Sequence, residues 1–134
     1  MKEEYQKAID YYKQSIELDS RRAECYYNLG NAYVIIQEFG NAIEPFKKAC
    51  ELDPQNVAAF YNLGNAYLLT KDLDNALRLF EEVLKIEPGL EWRFRIAYVL
   101  DDHGESEHAL SHIEECLKQE ANNSQILFFK GNKG

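Results

Sequence analysis

The sequence predicts an all-α fold in which antiparallel helix pairs stack side by side into an α-solenoid. Two observations predict it. A segment at residues 26–33 returns almost unchanged at residues 60–67, an offset of 34 residues. Within each period the apolar positions recur at helical spacing in two stretches separated by a polar turn. A repeat of this length is typical of proteins in which each unit is a helix pair that buries its apolar face against the next unit.

The repeated segment reads YYNLGNAY at residues 26–33 and FYNLGNAY at residues 60–67. The same step of 34 residues relates other positions along the chain. They are the alanines Ala8, Ala42 and Ala76, the aromatic residues Tyr12, Phe46 and Phe80, and the prolines Pro54 and Pro88. We therefore expect each unit to consist of two helices joined by a short loop, which makes the helices antiparallel neighbours.

Turn and cap signals predict where the second helices begin and end. Asp72 lies in a polar turn and can cap the helix that follows it. That helix must end before Pro88, because proline disfavours a helical conformation in the preceding residue. Pro45 conflicts with the pattern, since a proline in a helix interior costs about 3 kcal/mol. We expect Gly40 and Asn41 to form the turn, which would place Pro45 in or near a first turn whose N–H groups need no intrahelical partner.

Small residues in the repeat have a predicted packing role. Gly30 and Gly64 on the first helices face Ala42 and Ala76 on the second, and these small residues let the two backbones come close. Aromatic side chains fill the space around them. Replacing Gly64 by leucine should overpack this contact and lower the free energy of unfolding by about 1–3 kcal/mol.

With an aromatic residue in place of the tryptophan, two units fit the pattern W-x2-L-G-x2-Y…A-x3-F…P and resemble the tetratricopeptide repeat family. The fitting residues are Tyr26, Leu29, Gly30, Tyr33, Ala42, Phe46 and Pro54 in one unit, and Phe60, Leu63, Gly64, Tyr67, Ala76, Phe80 and Pro88 in the next. The resemblance implies a tetratricopeptide superhelix. It divides a single domain of residues 1–134 into a partial repeat at 1–22, repeats at 23–56 and 57–89, a degenerate repeat at 90–123 and the start of a further repeat at 124–134.

The two ends of the chain each resemble half a repeat, so we expect the chain to be a fragment of a longer protein. A solenoid that begins and ends within a unit leaves apolar faces uncovered. We expect Phe128 or Phe129 and the face of Tyr5 and Tyr12 to contact another chain or the rest of a longer protein. Self-association through these open ends is one form of that contact.

Charge and composition exclude several partners and places. The formal net charge is -8 and no run of lysine or arginine occurs, so the chain would repel nucleic acid and anionic membrane surfaces. The apolar runs are too short to span a bilayer, and the start of the chain lacks a secretory signal. Three cysteines at scattered positions, Cys25, Cys50 and Cys116, indicate small buried residues in a reducing compartment. We expect a cytoplasmic protein; a nuclear or ciliary location is also compatible.

The resemblance implies that the first helices line a concave groove that binds an extended peptide. By family position, the groove residues are Tyr27, Asn28, Asn31, Tyr61, Asn62, Asn65, Phe94 and Arg95. An asparagine amide offers both a donor and an acceptor and so matches a peptide backbone. We expect Asn28 and Asn62 to form a ladder similar to those of protein O-linked N-acetylglucosamine transferases. The alternative is that these asparagines bond to neighbouring helices or to water.

Two other kinds of site are less well supported by the sequence. A carboxylate clamp, which related domains use to bind acidic C-termini, would use Asn31, Asn62 and Arg95. Tyr27 and Glu91, however, occupy the positions where that clamp has lysines, so Arg95 is better explained as solvated or paired within the chain.

A metal site would need His108, His112 and Cys116, which lie four residues apart on one predicted helix. Cys116 aligns with a small buried position while the histidines should face outward, so we expect no metal and no cofactor.

No catalytic motif is present, and consecutive carboxylates such as Glu81 and Glu82 point in different directions on a helix. We therefore predict that the chain is not an enzyme and has no catalytic residues. The function predicted is a protein–protein interaction scaffold that binds an extended peptide segment of a partner. The alternatives are a targeting domain of a larger enzyme such as a glycosyltransferase, and a structural subunit of a multiprotein assembly.

Overall fold

Helices follow one another along the whole described backbone. The structure, a computed structural model, describes the backbone of residues 2–133 and the side chains of residues 2–119. Within that range it contains seven helices and no strand, which confirms the predicted all-α fold class. They are α1 (Lys2–Leu18), α2 (Ala23–Ile35), α3 (Phe39–Leu52), α4 (Val57–Leu69), α5 (Leu73–Ile86), α6 (Leu90–Asp102) and α7 (Ser106–Lys133). Phe128, Phe129 and the further repeat predicted at 124–134 lie outside the residues whose side chains are described.

The chain forms two compact units, Met1–Glu87 and Pro88–Gly134. In the first unit, each of the helices α1 to α5 packs against the next, and α2 also contacts α4. Ile9, Phe46 and Phe80 are the largest side chains of this unit that are fully buried. They lie on α1, α3 and α5, the second helices of successive repeats. In the second unit, α6 packs against α7 and buries Ile96 and Leu100.

Asparagine and aspartate side chains cap two helices of the first unit. Asp72 is the N-cap of α5, and its carboxylate accepts a hydrogen bond from the backbone N–H of Asn75 at 3.3 Å, which confirms the predicted cap. Asn56 caps α4 in the same way and accepts from the backbone N–H of Ala59 at 3.2 Å. Helix α5 ends at Ile86, before Pro88, as predicted.

Pro45 lies deeper in its helix than the sequence predicts. Helix α3 begins at Phe39 with Glu38 at its N-cap, so Gly40 and Asn41 are already helical and Pro45 is the seventh residue (39 to 45). The predicted position in or near the first turn is therefore wrong. The turn comes earlier because Gln37 adopts a left-handed φ of 65°. The missing N–H of Pro45 leaves the carbonyl of Asn41, an exposed residue, without its intrahelical partner.

The turn inside each helix pair uses a residue in the left-handed region. These residues are Gln37 (φ 65°), Lys71 (φ 67°) and Gly104 (φ 81°), which occupy corresponding positions in the three pairs. Each lies just after the end of a first helix, and a residue in the left-handed conformation commonly terminates a helix. The first two lack the conformational freedom of glycine, so each holds a side chain in a region that costs about 1–2 kcal/mol.

Replacing Lys71 by glycine should stabilise the protein by about 0.5–1 kcal/mol. The variant removes the left-handed penalty, and the greater freedom of glycine in the unfolded chain offsets part of the gain. Equilibrium unfolding in urea measures the change. The reciprocal variant Gly104→Lys is the control and should lose stability. A destabilised Lys71→Gly would contradict the strain at this turn.

Tyr5 and Tyr12 take part in packing inside the first unit. Both are half-buried against a cluster formed by α1 and α2 that includes Ile9, Leu29 and Ile36. The sequence assigned their face to a contact with another chain, but in the structure these rings already have neighbours. The exposed aromatic side chain of α1 is instead Tyr11, which is 68% exposed.

Candidate functional site

Six of the predicted groove residues lie on the first helices of the first unit. We call this surface the first-helix face; its members are Tyr27, Asn28 and Asn31 on α2 and Tyr61, Asn62 and Asn65 on α4. The two triplets are related by the 34-residue step, and their helices contact each other. Equivalent side chains of two repeats are therefore presented by neighbouring helices.

The side-chain amide of Asn62 joins the two repeats. Its Nδ2 donates to the Oδ1 of Asn31 at 3.0 Å and to the hydroxyl oxygen of Tyr27 at 3.3 Å. Both acceptors lie on α2, so the bonds cross from one repeat to the one before it. Because both N–H bonds of the amide are engaged, the Oδ1 of Asn62 remains as its acceptor.

Asn28 differs from Asn62, although the two occupy equivalent positions. Its side chain is exposed and makes no hydrogen bond to any residue that the structure describes. Bonding between neighbouring helices, the alternative role for these asparagines, thus occurs at Asn62. Asn28 keeps both its donor and its acceptor available to solvent.

The two tyrosines of the face pack against second helices. The ring of Tyr27 lies 6.2 Å from that of Phe46 at an interplanar angle of 58°, and the ring of Tyr61 lies 5.8 Å from that of Phe80 at 39°. Tilted pairs at these distances are favourable aromatic contacts. The contacts hold both tyrosines in place while leaving them partly exposed.

Asn65 carries an unsatisfied acceptor. Its Oδ1 is buried and has no hydrogen-bond partner among the described residues. The equivalent atom one repeat earlier, the Oδ1 of Asn31, accepts from Asn62. An unpaired buried acceptor has a cost of about 1–3 kcal/mol, so Asn65 marks the point where the repeating bond pattern stops within the first unit.

The remaining predicted residues, Phe94 and Arg95, lie on α6 in the second unit. The guanidinium of Arg95 is 3.1 Å from a carboxylate oxygen of Glu91 and stacks 4.8 Å above the ring of Trp92. Arg95 is thus paired within the chain, as the sequence favoured over a carboxylate clamp. Phe94 is 48% exposed beside it.

His112 and Cys116, two of the three residues considered for a metal site, lie in different surroundings. The Nδ1 of His112 lies 3.1 Å from the Nη1 of Arg93. Cys116 is fully buried. Among the described residues no group of three or more His, Cys, Asp and Glu side chains comes close enough to hold a metal ion.

The other two cysteines are also buried. Burial raises the pKa of the Cys50 thiol to about 12, with smaller contributions from Asp53 and Glu51. This thiol is therefore protonated and unreactive at neutral pH. The structure supports the interpretation of the cysteines as packing residues.

Sequence reasoning missed two of these interactions. The role of Asn31 as an acceptor for Asn62 is one, and the pair of Arg93 with His112 is the other. A signal for the second was present, because Arg93 occupies the aromatic position of the degenerate repeat, where a charged side chain needs a partner.

None of the helices in the described part of the chain has both the length and the hydropathy that a bilayer span requires.

Comparison with family models identifies tetratricopeptide repeats in this chain, in agreement with the helix pairs that the structure shows. A model described as TPR repeat matches residues 2–35 and 30–71, and one described as Tetratricopeptide repeat matches residues 57–90. No curated protein gives a significant match.

Several solved structures of MamA are similar to the chain. One crystal structure of MamA is 28% identical with a TM-score of 0.73 and covers 90% of this chain and 71% of that chain. A second crystal structure of MamA is 28% identical with a TM-score of 0.75, and the match covers 90% of this chain and 67% of that chain. The structure of MamA 41-end from Desulfovibrio magneticus RS-1 is 17% identical with a TM-score of 0.73, and the match covers 89% of this chain and 68% of that chain. At this identity the similarity shows a shared fold alone.

Proposed function

Because the chain belongs to the tetratricopeptide repeat family, whose members are protein-interaction scaffolds, we propose that it binds an extended segment of a partner protein on the first-helix face. The proposal gives the chain no catalytic role and retains the cytoplasmic location expected from the sequence. Phe94 and Arg95 lie in the second unit and were assigned to a groove by family position alone, so the proposed site is confined to the first-helix face.

The hydrogen bonds of Asn62 are the main support for this proposal. Donation to Asn31 and Tyr27 fixes the orientation of the amide, so its Oδ1 can accept an N–H from a peptide backbone without first losing side-chain freedom. Asn28, one repeat earlier, offers a free amide at the equivalent position. The two together suit a peptide whose backbone, rather than its side chains, is recognised.

Hydrogen bonds alone give this face too little affinity. Each bond contributes about 1 kcal/mol net, whereas micromolar binding requires about 8 kcal/mol. Tyr27 and Tyr61 supply apolar surface at low entropic cost, because their contacts with Phe46 and Phe80 already hold the rings. We therefore assign most of the affinity to the tyrosines and the choice of an extended backbone to the asparagines.

The test uses a peptide selected from a library for binding to the full chain. The double variant Asn28→Ala, Asn62→Ala should weaken its binding about 30-fold, since two hydrogen bonds of about 1 kcal/mol each are lost. Isothermal titration calorimetry measures the affinity.

Two controls separate recognition from folding. Asn31→Ala removes the acceptor inside the chain but keeps the Oδ1 of Asn62 and the amide of Asn28, so it should weaken binding less than the double variant. Glu81→Ala, on the exposed surface of α5, should bind like the unaltered chain. Undiminished binding by the double variant would assign recognition to another surface.

A further inference from the structure

Two aliphatic side chains continue the first-helix face toward the C-terminal ends of its helices. On α2, Ile35 lies four residues after Asn31, and on α4, Leu69 lies four residues after Asn65. Residues four apart share one side of a helix, so each aliphatic side chain follows the asparagine along the same side. We call Ile35 and Leu69 the aliphatic row.

The aliphatic row is accessible to a partner. Ile35 is 52% exposed, and Leu69 is half-buried. A single exposed isoleucine needs no explanation. Here, however, the 34-residue step places a leucine at the equivalent position of α4, which contacts α2. Neighbouring helices therefore present apolar surface at the same end of the first-helix face.

The surface beside Ile35 has room for a side chain. A depression of about 300 Å³ lies there, and its other lining residues are Lys2, Tyr5, Ile36 and Gln37. Tyr5 and Ile36 add apolar surface next to the aliphatic row. Lys2 is the one charged residue of this lining.

The opposite ends of the two helices differ from the aliphatic row. Glu24 lies four residues before Asn28 on α2, and Ala58 lies four residues before Asn62 on α4. Glu24 is the only charged residue in these two helices, and it pairs with Arg22 at 3.8 Å. The helix starts thus offer one carboxylate and one methyl group, with no apolar surface comparable to that of the aliphatic row.

We propose that the first-helix face selects a partner segment in which every second residue is aliphatic and lies on the aliphatic row. This inference rests on the proposed function. An extended chain that contacts Asn28 and Asn62 crosses α2 and α4, because these residues occupy equivalent places on the two helices. Its neighbouring side chains point in opposite directions, so one set points toward the aliphatic row and the other toward the helix starts.

The distances suit this arrangement. Four residues of helix advance about 6 Å along the axis, which is the separation between each asparagine level and the aliphatic row. An aliphatic side chain of the partner spans this distance from a backbone held at the asparagines. Contact with the row then removes apolar surface of both molecules from water.

A peptide library tests the expected alternation. Short random peptides are selected for binding to the full chain, and those that also bind the Asn28→Ala, Asn62→Ala variant are discarded. We expect valine, isoleucine or leucine at every second position of the peptides that remain. Peptides without this alternation, or with aspartate or glutamate at those positions, as Lys2 beside Ile35 would favour, would overturn the proposal.

Variants of the aliphatic row test the contact itself. The double variant Ile35→Ser, Leu69→Ser should bind the selected peptide about tenfold more weakly, since two apolar contacts are lost. Ile35→Leu keeps the apolar surface and should bind within about twofold of the unaltered chain. Leu18→Ser is the matched control, because Leu18 is 90% exposed on α1 and lies outside the first-helix face. Circular dichroism checks that each variant is folded.

Changes in the peptide make the test independent of the stability of the variants. Replacing the alternating aliphatic residues of the peptide by serine should weaken binding to the unaltered chain at least tenfold, but should have little further effect on binding to the Ile35→Ser, Leu69→Ser variant. Independent, additive losses would overturn the proposal.

The outcomes separate this inference from the proposed function on which it rests. Full binding by the row variant, together with loss of binding by the Asn28→Ala, Asn62→Ala variant, would overturn the aliphatic row and leave the peptide site standing. If every selected peptide still binds the asparagine variant, the peptide site and this inference are both wrong.

Discussion

Replacing Phe80 by alanine should lower the free energy of unfolding by about 3–5 kcal/mol, the usual cost of removing a buried aromatic ring. The Phe80 side chain is 1% exposed and lies at the centre of the second complete helix pair. Its ring fills the space above Gly64 and contacts Tyr61. Truncation leaves a cavity between α4 and α5 that these helices cannot close without losing other contacts. Equilibrium unfolding in guanidinium chloride measures the loss.

Phe94→Ala is the matched control, because this phenylalanine is 48% exposed. Its stability should lie within about 0.5 kcal/mol of the unaltered chain. A Phe80→Ala variant that loses no more than the control would show that the ring is not the centre of the pair.

Replacing Gly64 by leucine should cost about 1–3 kcal/mol by overpacking the same contact from the other side. A Cβ atom built at Gly64 would lie 2.6 Å from Cε1 and 2.9 Å from Cδ1 of the Phe80 ring. Atoms do not approach this closely, and the fully buried ring has little room to move. The rest of a leucine side chain adds to the clash. Thermal unfolding monitored by circular dichroism gives the shift in stability.

Gly40→Leu is the control for this substitution. Gly40 lies in the first turn of α3, and no atom lies within 4 Å of the position that a Cβ would take there. The change should be neutral or slightly stabilising, since leucine favours a helix more than glycine does. If both glycine variants behave alike, the close approach at Gly64 has no energetic role.

The double variant Gly64→Leu, Phe80→Ala joins the two predictions. The added side chain can enter the space that the ring leaves, so the double variant should lose less stability than the two single variants together. Residues in direct contact show coupling energies of about 0.5–3 kcal/mol. Strict additivity would mean that the glycine and the ring do not share one contact.

The helix pairs could be predicted because the period records each pair twice. The partners of the glycines were predicted less well, since the sequence paired Gly30 and Gly64 with Ala42 and Ala76. In the structure a Cβ built at Gly30 would lie 2.5 Å from the ring of Phe46, and one built at Gly64 would lie 2.6 Å from the ring of Phe80. Helix ends with a chemical signal, such as Asp72 at the start of α5, were predictable as well.

Pro45 shows where local signals mislead. Gly40 and Asn41 are typical turn residues, yet both are helical in α3. The decisive residue was Gln37, whose left-handed conformation is unusual for its type and leaves no mark in the sequence. Packing of the repeat, which sets the start of each second helix, overrode the preferences of these residues.

The candidate site was predictable as a face but not as a set of bonds. Helical spacing and family position bring Tyr27, Asn31 and Asn62 to adjoining helices. Which atoms then bond depends on the distance and rotation between α2 and α4, and an asparagine amide can satisfy itself in several ways. The sequence could not show that Asn62, rather than Asn28, bonds across the repeats.

The bond from Asn62 to Asn31 has a consequence for proteins built from many identical copies of this repeat. Residues 57–90 carry both the donor Asn62 and the acceptor Asn65, and Asn65 is the equivalent, 34 residues later, of the Asn31 that accepts from Asn62. A polymer made of identical copies of this 34-residue module would place a donor opposite every acceptor. One row of side-chain amide hydrogen bonds would then run from module to module.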